Sequence, residues 1–185
     1  LVLLPLSGGN IMLASIDITE EDLEYKIYTD SSNSWATDFT DLDTFTPDSL
    51  TFFHSLSGIV DKSTNTLYIS YVNGTGTVNL SEVRVWSYTT GWNQLTDAWP
   101  NTIDSVSTII DSTIGIDENT RDLYVVYIRD PTNDATSNRN VYFAKSSDNG
   151  VTWNRDNQIN DLGTGDFRGI SMTSSSDSLL YTTWH

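Results

Sequence analysis

The chain has 185 residues, and Asp plus Glu outnumber Lys plus Arg by 25 to 9, which gives a formal net charge of −16. This charge excludes nucleic acid and anionic lipid surfaces as partners, because both would repel the protein. The sequence has no Cys and two His, so disulfides, thiolate catalysis, Cys-ligated metals and a His-rich metal site are excluded as well.

The apolar opening, LVLLPL, is too short to cross a bilayer and lacks the basic start of a signal peptide. We therefore predict no membrane insertion. If the protein is secreted, we expect its signal to have been removed or to lie outside this sequence. A strongly acidic surface suits an extracellular setting, and we predict an extracellular or cell-surface location.

The next predicted elements are a strand in NIMLASI, from residue 10, and a loop running into a strand in ITEEDLEYKI, from residue 18. The segment DFTDLDTFTPD (38–48) then concentrates acidic turn-forming residues, and we predict turns there and no cofactor. A bound Ca²⁺ is the alternative, because carboxylate oxygens are its preferred ligands, although the spacing does not match an EF-hand. The carboxylates concerned are Asp38, Asp41, Asp43 and Asp48.

Further along, three segments are similar to one another: SGIVDKSTNTLYISYV (57–72), IGIDENTRDLYVVYI (114–128) and RGISMTSSSDSLLYTTW (168–184). Each has a Gly followed by apolar residues, then a polar turn, then the pattern Leu-Tyr-x-x-aromatic. The anchor residues recur every 56 or 57 positions: Ile11 in a degenerate copy, then Leu67, Leu123 and Leu180.

Each repeated unit reads as four short strands, and no stretch of ten or more residues has a convincing helical period. A unit of ~50 residues with four strands, repeated in tandem, predicts an all-β fold of antiparallel β-propeller blades. One such sheet is unstable alone and is stabilised by stacking against its neighbours. We predict about three and a half blades of a ring with six or more. The approximate boundaries are 1–50, 51–106, 107–163 and an incomplete 164–185.

We expect the remaining blades of the ring to come from the same longer chain or from other copies of this chain, and we favour the longer chain. The other predicted partner is a glycan or a protein surface.

The segment SSDNGVTW follows the apolar strand VYFA and combines an Asp, a Gly and a Trp at fixed offsets. The Asp accepts hydrogen bonds from nearby backbone amides, the Gly allows a positive φ, and the Trp forms a large apolar plug. This segment resembles the Asp box of the bacterial neuraminidase (BNR) repeat in sialidase-like β-propellers. The matching residues are Ser146, Asp148, Gly150, Thr152 and Trp153, with degenerate copies at Asp30, Trp35 and Trp92. The resemblance implies a structural role on the turn between the third and fourth strands of a blade.

The same resemblance implies, for an active sialidase, three arginines that bind a carboxylate, a Tyr nucleophile backed by a Glu, and an Asp acid/base. In FRGI, Arg168 is a weak candidate for anion binding, with neutralisation of nearby acidity as the favoured interpretation. Glu82 and Glu118 have no identifiable Tyr partner. The tyrosines that recur at one repeat phase indicate packing: Tyr68, Tyr71, Tyr124, Tyr127 and Tyr181. The catalytic residues, if any, stay unassigned.

We therefore predict an extracellular, sialidase-like β-propeller module for recognition or structural assembly, which binds a glycan or a protein. One alternative is an exo-glycosidase of the sialidase type whose catalytic site is completed by residues outside this chain. The other is a purely structural repeat of a surface adhesin, filament or particle. Whether the protein is an enzyme is left open.

Overall fold

The protein is described from a computed structural model that covers residues 1–44, 55–74, 81–100, 108–130, 139–160, 167–175, 177 and 179–185. Within these residues there is no α-helix, only short 3₁₀ turns at Ser7–Gly9 and Asp30–Ser32. The strands, in chain order, are β1 Val2–Pro5, β2 Ile11–Asp17, β3 Asp22–Thr29, β4 Ser34–Trp35, β5 Thr40–Thr44, β6 Leu56–Asp61, β7 Thr66–Gly74, β8 Ser81–Tyr88, β9 Trp92–Gln94, β10 Thr108–Ile116, β11 Leu123–Asp130, β12 Asn140–Ser146, β13 Asn154–Gln158, β14 Ile170–Ser174 and β15 Leu180–Trp184.

The strands form four antiparallel sheets, which we number as blades. Blade 1 has the order β1-β2-β3-β4, with β5 also pairing β3. Blades 2 and 3 are four-stranded meanders, β6-β7-β8-β9 and β10-β11-β12-β13, and blade 4 is the pair β14-β15. The predicted fold class, about three and a half blades of antiparallel strands, is confirmed. The predicted blade boundaries stay predictions, since the connections between blades lie largely outside the described residues.

The repeat has a direct structural counterpart, because each anchor residue is the first or second residue of the second strand of its blade. Leu67 pairs with Val60 across β6 and β7, and Leu123 pairs with Ile116 across β10 and β11. Ile11 and Leu180 begin β2 and β15 in the same way. Equivalent residues therefore occupy equivalent places in each blade.

The first strands of the blades lie side by side and form the inner edge of the array. The hydroxyl groups of Ser57 on β6 and Thr113 on β10 are 3.1 Å apart. On the other side of β10, the backbone amide of Ile170 donates to the Asp111 carboxylate at 2.9 Å. The Ile114 amide on β10 also donates to the Ser57 hydroxyl at 3.2 Å, so hydroxyl and carboxylate side chains satisfy backbone amides of the neighbouring inner strands.

The core lies between the blades and disappears where a neighbouring blade is missing. β7 is buried along its whole length because sheets cover both of its faces, which explains the mainly apolar stretch from Leu67 to Val72. The repeat-equivalent tyrosines show the same effect: Tyr68 is 3% exposed beneath blade 3, whereas Tyr181, with no described sheet against it, is 54% exposed. Tyr124, which faces the two-stranded blade 4, is intermediate. The packing role predicted for these tyrosines is therefore fulfilled only where a further blade is present.

In the described part of the chain, no helix has the length and apolar character that a bilayer crossing needs.

Candidate functional site

An open recess of about 440 Å³ lies beside the inner strands of blades 3 and 4. It is lined by Asp111 of β10, Ser171 of β14, Thr183 and Trp184 of β15, and the flanking residues Gly169 and His185. The recess therefore brings together a carboxylate, two hydroxyl groups, an indole ring and an imidazole, a set of side chains that can both stack on a ligand and hydrogen-bond it.

Asp111 is placed by an irregularity in β10, where the pairing register with β11 shifts between Ile109 and Asp111. One carboxylate oxygen accepts the backbone amide of Ser112 at 2.8 Å, and the other accepts the amide of Ile170 at 2.9 Å. Burial raises the pKa of the Asp111 carboxyl, and these hydrogen bonds oppose part of that rise. Asp111 thus connects two blades and also presents a carboxyl group to the recess.

On the opposite wall of the recess, Gly169 lies close to His185. An added Cβ at Gly169 would come within 2.1 Å of the His185 ring, so a side chain there would require the imidazole to move. The backbone amide of Arg168 donates to the His185 carbonyl at 2.8 Å. Trp184, 37% exposed, leaves part of its ring available to a ligand. Arg168, the predicted anion-binding residue, is exposed next to the recess, and its proposed role stays a prediction.

A second polar cluster lies between blades 1 and 2, well separated along the chain from the recess. The Tyr71 hydroxyl donates to Asp43 Oδ2 at 2.5 Å, and Arg84 Nη1 donates to the same oxygen at 2.8 Å. Arg84 Nε also donates to Glu82 Oε1 at 2.6 Å. Burial and the Asp43 carboxylate raise the pKa of the Tyr71 phenol. A fully buried, neutral Tyr71 that donates to a carboxylate fits a structural role and not that of a nucleophile.

Asp97 completes this cluster from the segment after β9. Burial and, to a smaller extent, the negative charge of Glu82 raise the pKa of the Asp97 carboxyl to about 6. Its Oδ1 is buried and has no hydrogen-bond partner among the described residues. Arg84 is the main cation near the three carboxylates of this cluster, those of Asp43, Glu82 and Asp97. Because one positive charge cannot balance three negative charges, ionisation of the third carboxylate is disfavoured.

The SSDNGVTW segment forms the turn between β12 and β13, the third and fourth strands of blade 3. Asp148 accepts hydrogen bonds from the Thr152 amide at 2.8 Å, the Thr152 hydroxyl at 2.6 Å and the Ser146 hydroxyl at 2.8 Å. These hydrogen bonds lower the pKa of Asp148 to about 2. Gly150 has φ +86°, and its Cβ would lie 2.5 Å from Leu95.

The Trp of this turn reaches the neighbouring blade. Trp153 is 7% exposed, and its indole Nε1 donates to the Thr96 carbonyl of blade 2 at 2.8 Å. This geometry agrees with a structural turn, and it lies at the strand ends opposite to those that carry Asp111. Its assignment as an Asp box stays a prediction.

The degenerate copies differ from this turn. Asp30 lies in a 3₁₀ turn, where its backbone carbonyl accepts the Asn33 amide at 3.0 Å. Trp35 is 41% exposed and packs on Tyr28, so the expected apolar plug is absent there. Trp92 is half-buried between blades 1 and 2, with its ring 5.6 Å from that of Tyr25. Trp92 and Trp153 both pack toward the preceding blade, and blade 1 has no preceding blade among the described residues, so Trp35 stays exposed.

The acidic segment near residue 40 has a different organisation from the predicted cluster of turns. Asp41 and Asp43 belong to strand β5, and Asp43 is bonded to Tyr71 and Arg84. Asp48 lies outside the described residues. Among the described residues there is no group of three or more carboxylates or histidines suited to a metal ion.

Sequence reasoning missed Asp111, Trp184 and His185 as parts of one recess. Asp111 interrupts the alternation of β10 between apolar residues, and Trp184 replaces the Tyr found at the same repeat position in β7 and β11. These two departures from the repeat were the available signals.

No protein family model matches the sequence, and no curated protein matches it. Solved structures do match the fold. An α-L-arabinanase of Penicillium chrysogenum complexed with arabinobiose has a TM-score of 0.66 and 10% identity, over 98% of this chain and 55% of that chain. A GH93 α-L-arabinofuranosidase of Fusarium graminearum, also complexed with arabinobiose, has a TM-score of 0.60 and 10% identity, over 95% and 52%. A Hadza microbial sialidase has a TM-score of 0.59 and 10% identity, over 92% and 38%.

These similarities and the array of antiparallel sheets define the class of the protein as a β-propeller. The chain spans about half the length of the first two structures. At this level of identity the comparison establishes the fold alone.

Proposed function

We propose that the chain is an extracellular carbohydrate-recognition module that binds a glycan in the recess between blades 3 and 4. The observation that carries this proposal is the combination of the exposed Trp184 ring with the Asp111 carboxyl and the Ser171 and Thr183 hydroxyls around one recess of about 440 Å³. A sugar presents an apolar C–H face, which stacks on an indole, and hydroxyl groups, which donate to a carboxylate.

Two of the similar solved structures contain arabinobiose, and a third is a sialidase. Their names make arabino-oligosaccharides and sialosides the first ligands to test. The acidic surface supports the extracellular location. Immunodetection of the protein in culture medium against cell lysate tests that location, and retention in the lysate would contradict it.

Glycoside hydrolysis is the second candidate function, since burial raises the pKa of Asp111, as a general acid requires. Hydrolysis in most glycosidases uses two carboxyl groups. Asp111 is the single carboxylate among the described residues that line the recess. We therefore favour recognition, and release of a fluorophore from an aryl arabinoside or sialoside would reverse this preference.

Isothermal titration with arabinobiose and with sialyllactose tests the proposal. Trp184→Ala removes the stacking surface, and we expect it to weaken binding at least about tenfold. Trp35→Ala is the matched control, because Trp35 is similarly exposed but lies in blade 1. Absence of binding to any member of a glycan array, or equal binding by the two variants, would refute the site.

A further inference from the structure

The polar cluster between blades 1 and 2 contains more negative than positive charge. Its carboxylates are those of Asp43, Glu82 and Asp97, and the Arg84 guanidinium bonds directly to the first two. Three carboxylates and one guanidinium leave a formal excess of two negative charges. Arg155 offsets this excess only in part, because its guanidinium is bonded to backbone carbonyls of the segment after β9. The cluster therefore favours a further positive charge.

Two oxygen atoms of this cluster are buried and accept no hydrogen bond from the described residues. Asn73 is 3% exposed, and its Nδ2 donates to Glu82 Oε1 at 2.7 Å, whereas its Oδ1 has no donor. The second atom is Asp97 Oδ1. Buried polar atoms in folded proteins are nearly always paired, so these two atoms indicate a further partner. Because both are oxygens, that partner is a cation or a hydrogen-bond donor.

Three neighbouring stretches of blade 2 bring these oxygens together around Glu82. Asn73 on β7 lies directly opposite Glu82 on β8 in the pairing register. On the other side of β8, the segment after β9 continues the sheet, where the Ala98 amide donates to the Val83 carbonyl at 2.9 Å. Asp97 belongs to this segment, and the charge that acts most strongly on it is that of Glu82. Glu82 thus has an amide on one side and a second carboxylate on the other.

We propose that Glu82, Asp97 and Asn73 bind one Ca²⁺ ion, with carboxylate oxygens of the first two and Oδ1 of the third as ligands. Carboxylate and amide oxygens are the ligands that Ca²⁺ prefers, and water molecules can complete its coordination. The two charges of the ion offset the negative charge of the cluster. The Arg84 side chain, 23% exposed, shows that the cluster reaches solvent, so the ion has a path to its ligands.

Asp43 is not one of the proposed ligands. Its Oδ2 already accepts the Tyr71 hydroxyl and the Arg84 guanidinium, so Asp43 holds Arg84 in place. The ligand set therefore consists of two carboxylates and one amide, all from blade 2, and differs from the acidic segment near residue 40. A bound ion would join β7, β8 and the segment after β9. This inference is independent of the proposed glycan, because residues of blades 3 and 4 line the recess.

Titration calorimetry of the full chain with CaCl₂, after treatment with EDTA and dialysis, tests the site. We expect one saturating Ca²⁺ site above the weak binding of surface carboxylates, and no such site for NaCl at equal ionic strength. Asp97→Asn should weaken binding at least about tenfold. Asn73→Ala should also weaken it, although this variant keeps every charge. Glu20→Gln is the matched control, because it removes one exposed carboxylate in blade 1 and should leave the affinity unchanged.

Thermal melts at neutral pH give a second, opposite-signed measurement. In EDTA, Asp97→Asn should melt above the wild type, because one repelling charge is removed. In CaCl₂, the wild type should gain several degrees and Asp97→Asn little, since an ion that binds the folded state raises Tm in proportion to its affinity. Absence of a saturating Ca²⁺ site, equal affinities of Asp97→Asn and Glu20→Gln, or equal gains in Tm for the wild type and Asp97→Asn would overturn the proposal.

Discussion

The junctions between blades 1 and 2 and between blades 2 and 3 form contacts at the same repeat positions, but these contacts are ionic in the first junction and aromatic in the second. In the first, Asp43 from the outer part of blade 1 accepts the Tyr71 hydroxyl and the Arg84 guanidinium. In the second, 56 residues later, Trp99 takes the place of Asp43 and Tyr127 the place of Tyr71, with ring centroids 5.7 Å apart. The repeat thus determines which positions meet between two blades, whereas the residue types at those positions, and so the kind of contact, differ from junction to junction.

The difference also changes how each junction is stabilised. The ionic junction, between blades 1 and 2, combines an apolar cluster that includes Leu4 and Ile69 with charged contacts around Arg84, which is shared by several carboxylates. The aromatic junction depends on buried area, with Arg129 placed 4.6 Å from the centre of the Trp99 ring. Blade 3 adds further contacts to blade 2, where Arg155 donates to the carbonyls of Asp97 and Ala98 at 2.8 and 2.9 Å.

The largest expected effect comes from the aromatic junction. Trp99 is 1% exposed, so Trp99→Ala should lower the free energy of unfolding by about 3–5 kcal/mol through lost burial and a cavity. Denaturant unfolding measures this value, with Trp35→Ala as the exposed control. Equal losses for the two variants would mean that the aromatic contact does not hold the junction.

Removing Arg84 tests the ionic junction. Arg84→Met leaves Asp43 and Glu82 without their shared cation, and we expect a loss of about 3 kcal/mol. Arg129→Met, at the aromatic junction, should cost about 1 kcal/mol, as a cation–π contact does. If urea unfolding gives the two arginine variants the same stability, the contrast between the junctions fails.

The third prediction concerns Asp97 and has a definite pH dependence. Its folded pKa, about 6, lies above the ordinary value of 3.8, so the folded state loses stability as pH rises from 3.8 to about 6. Asp97→Asn should therefore raise stability at pH 7 by about 1 kcal/mol, after allowance for partial exposure. Thermal melts of both proteins from pH 4 to pH 8 check this, and a gain that is as large at pH 4 as at pH 7 contradicts it.

The smallest effect is expected for the SSDNGVTW turn between β12 and β13, which lies at the outer side of the aromatic junction. Asp148→Ala should lower Tm by a few degrees at neutral pH, because the turn loses its hydrogen bonds to Thr152 and Ser146. The folded pKa of Asp148, about 2, is below 3.8, so the difference from wild type should fade as pH drops through this range. Asp30→Ala is the control and should leave Tm nearly unchanged.

Glycan binding should survive Asp148→Ala, since the turn lies away from the recess. Loss of binding with an unchanged Tm would show that this turn is a ligand site and not a structural one.

The sequence by itself determined the repeat, the short strands and the antiparallel blades, because alternation and turn residues are local properties of about ten residues. It also placed Leu67 and Leu123 at equivalent points of successive blades. The tertiary structure alone decided which side chains meet between blades. The pairs Asp43 with Arg84 and Asp111 with Ile170 join residues 41 and 59 positions apart. A periodic pattern predicts where such contacts lie. The residue types that meet there depend on the neighbouring sheet, which is distant in sequence and therefore is not part of any local pattern.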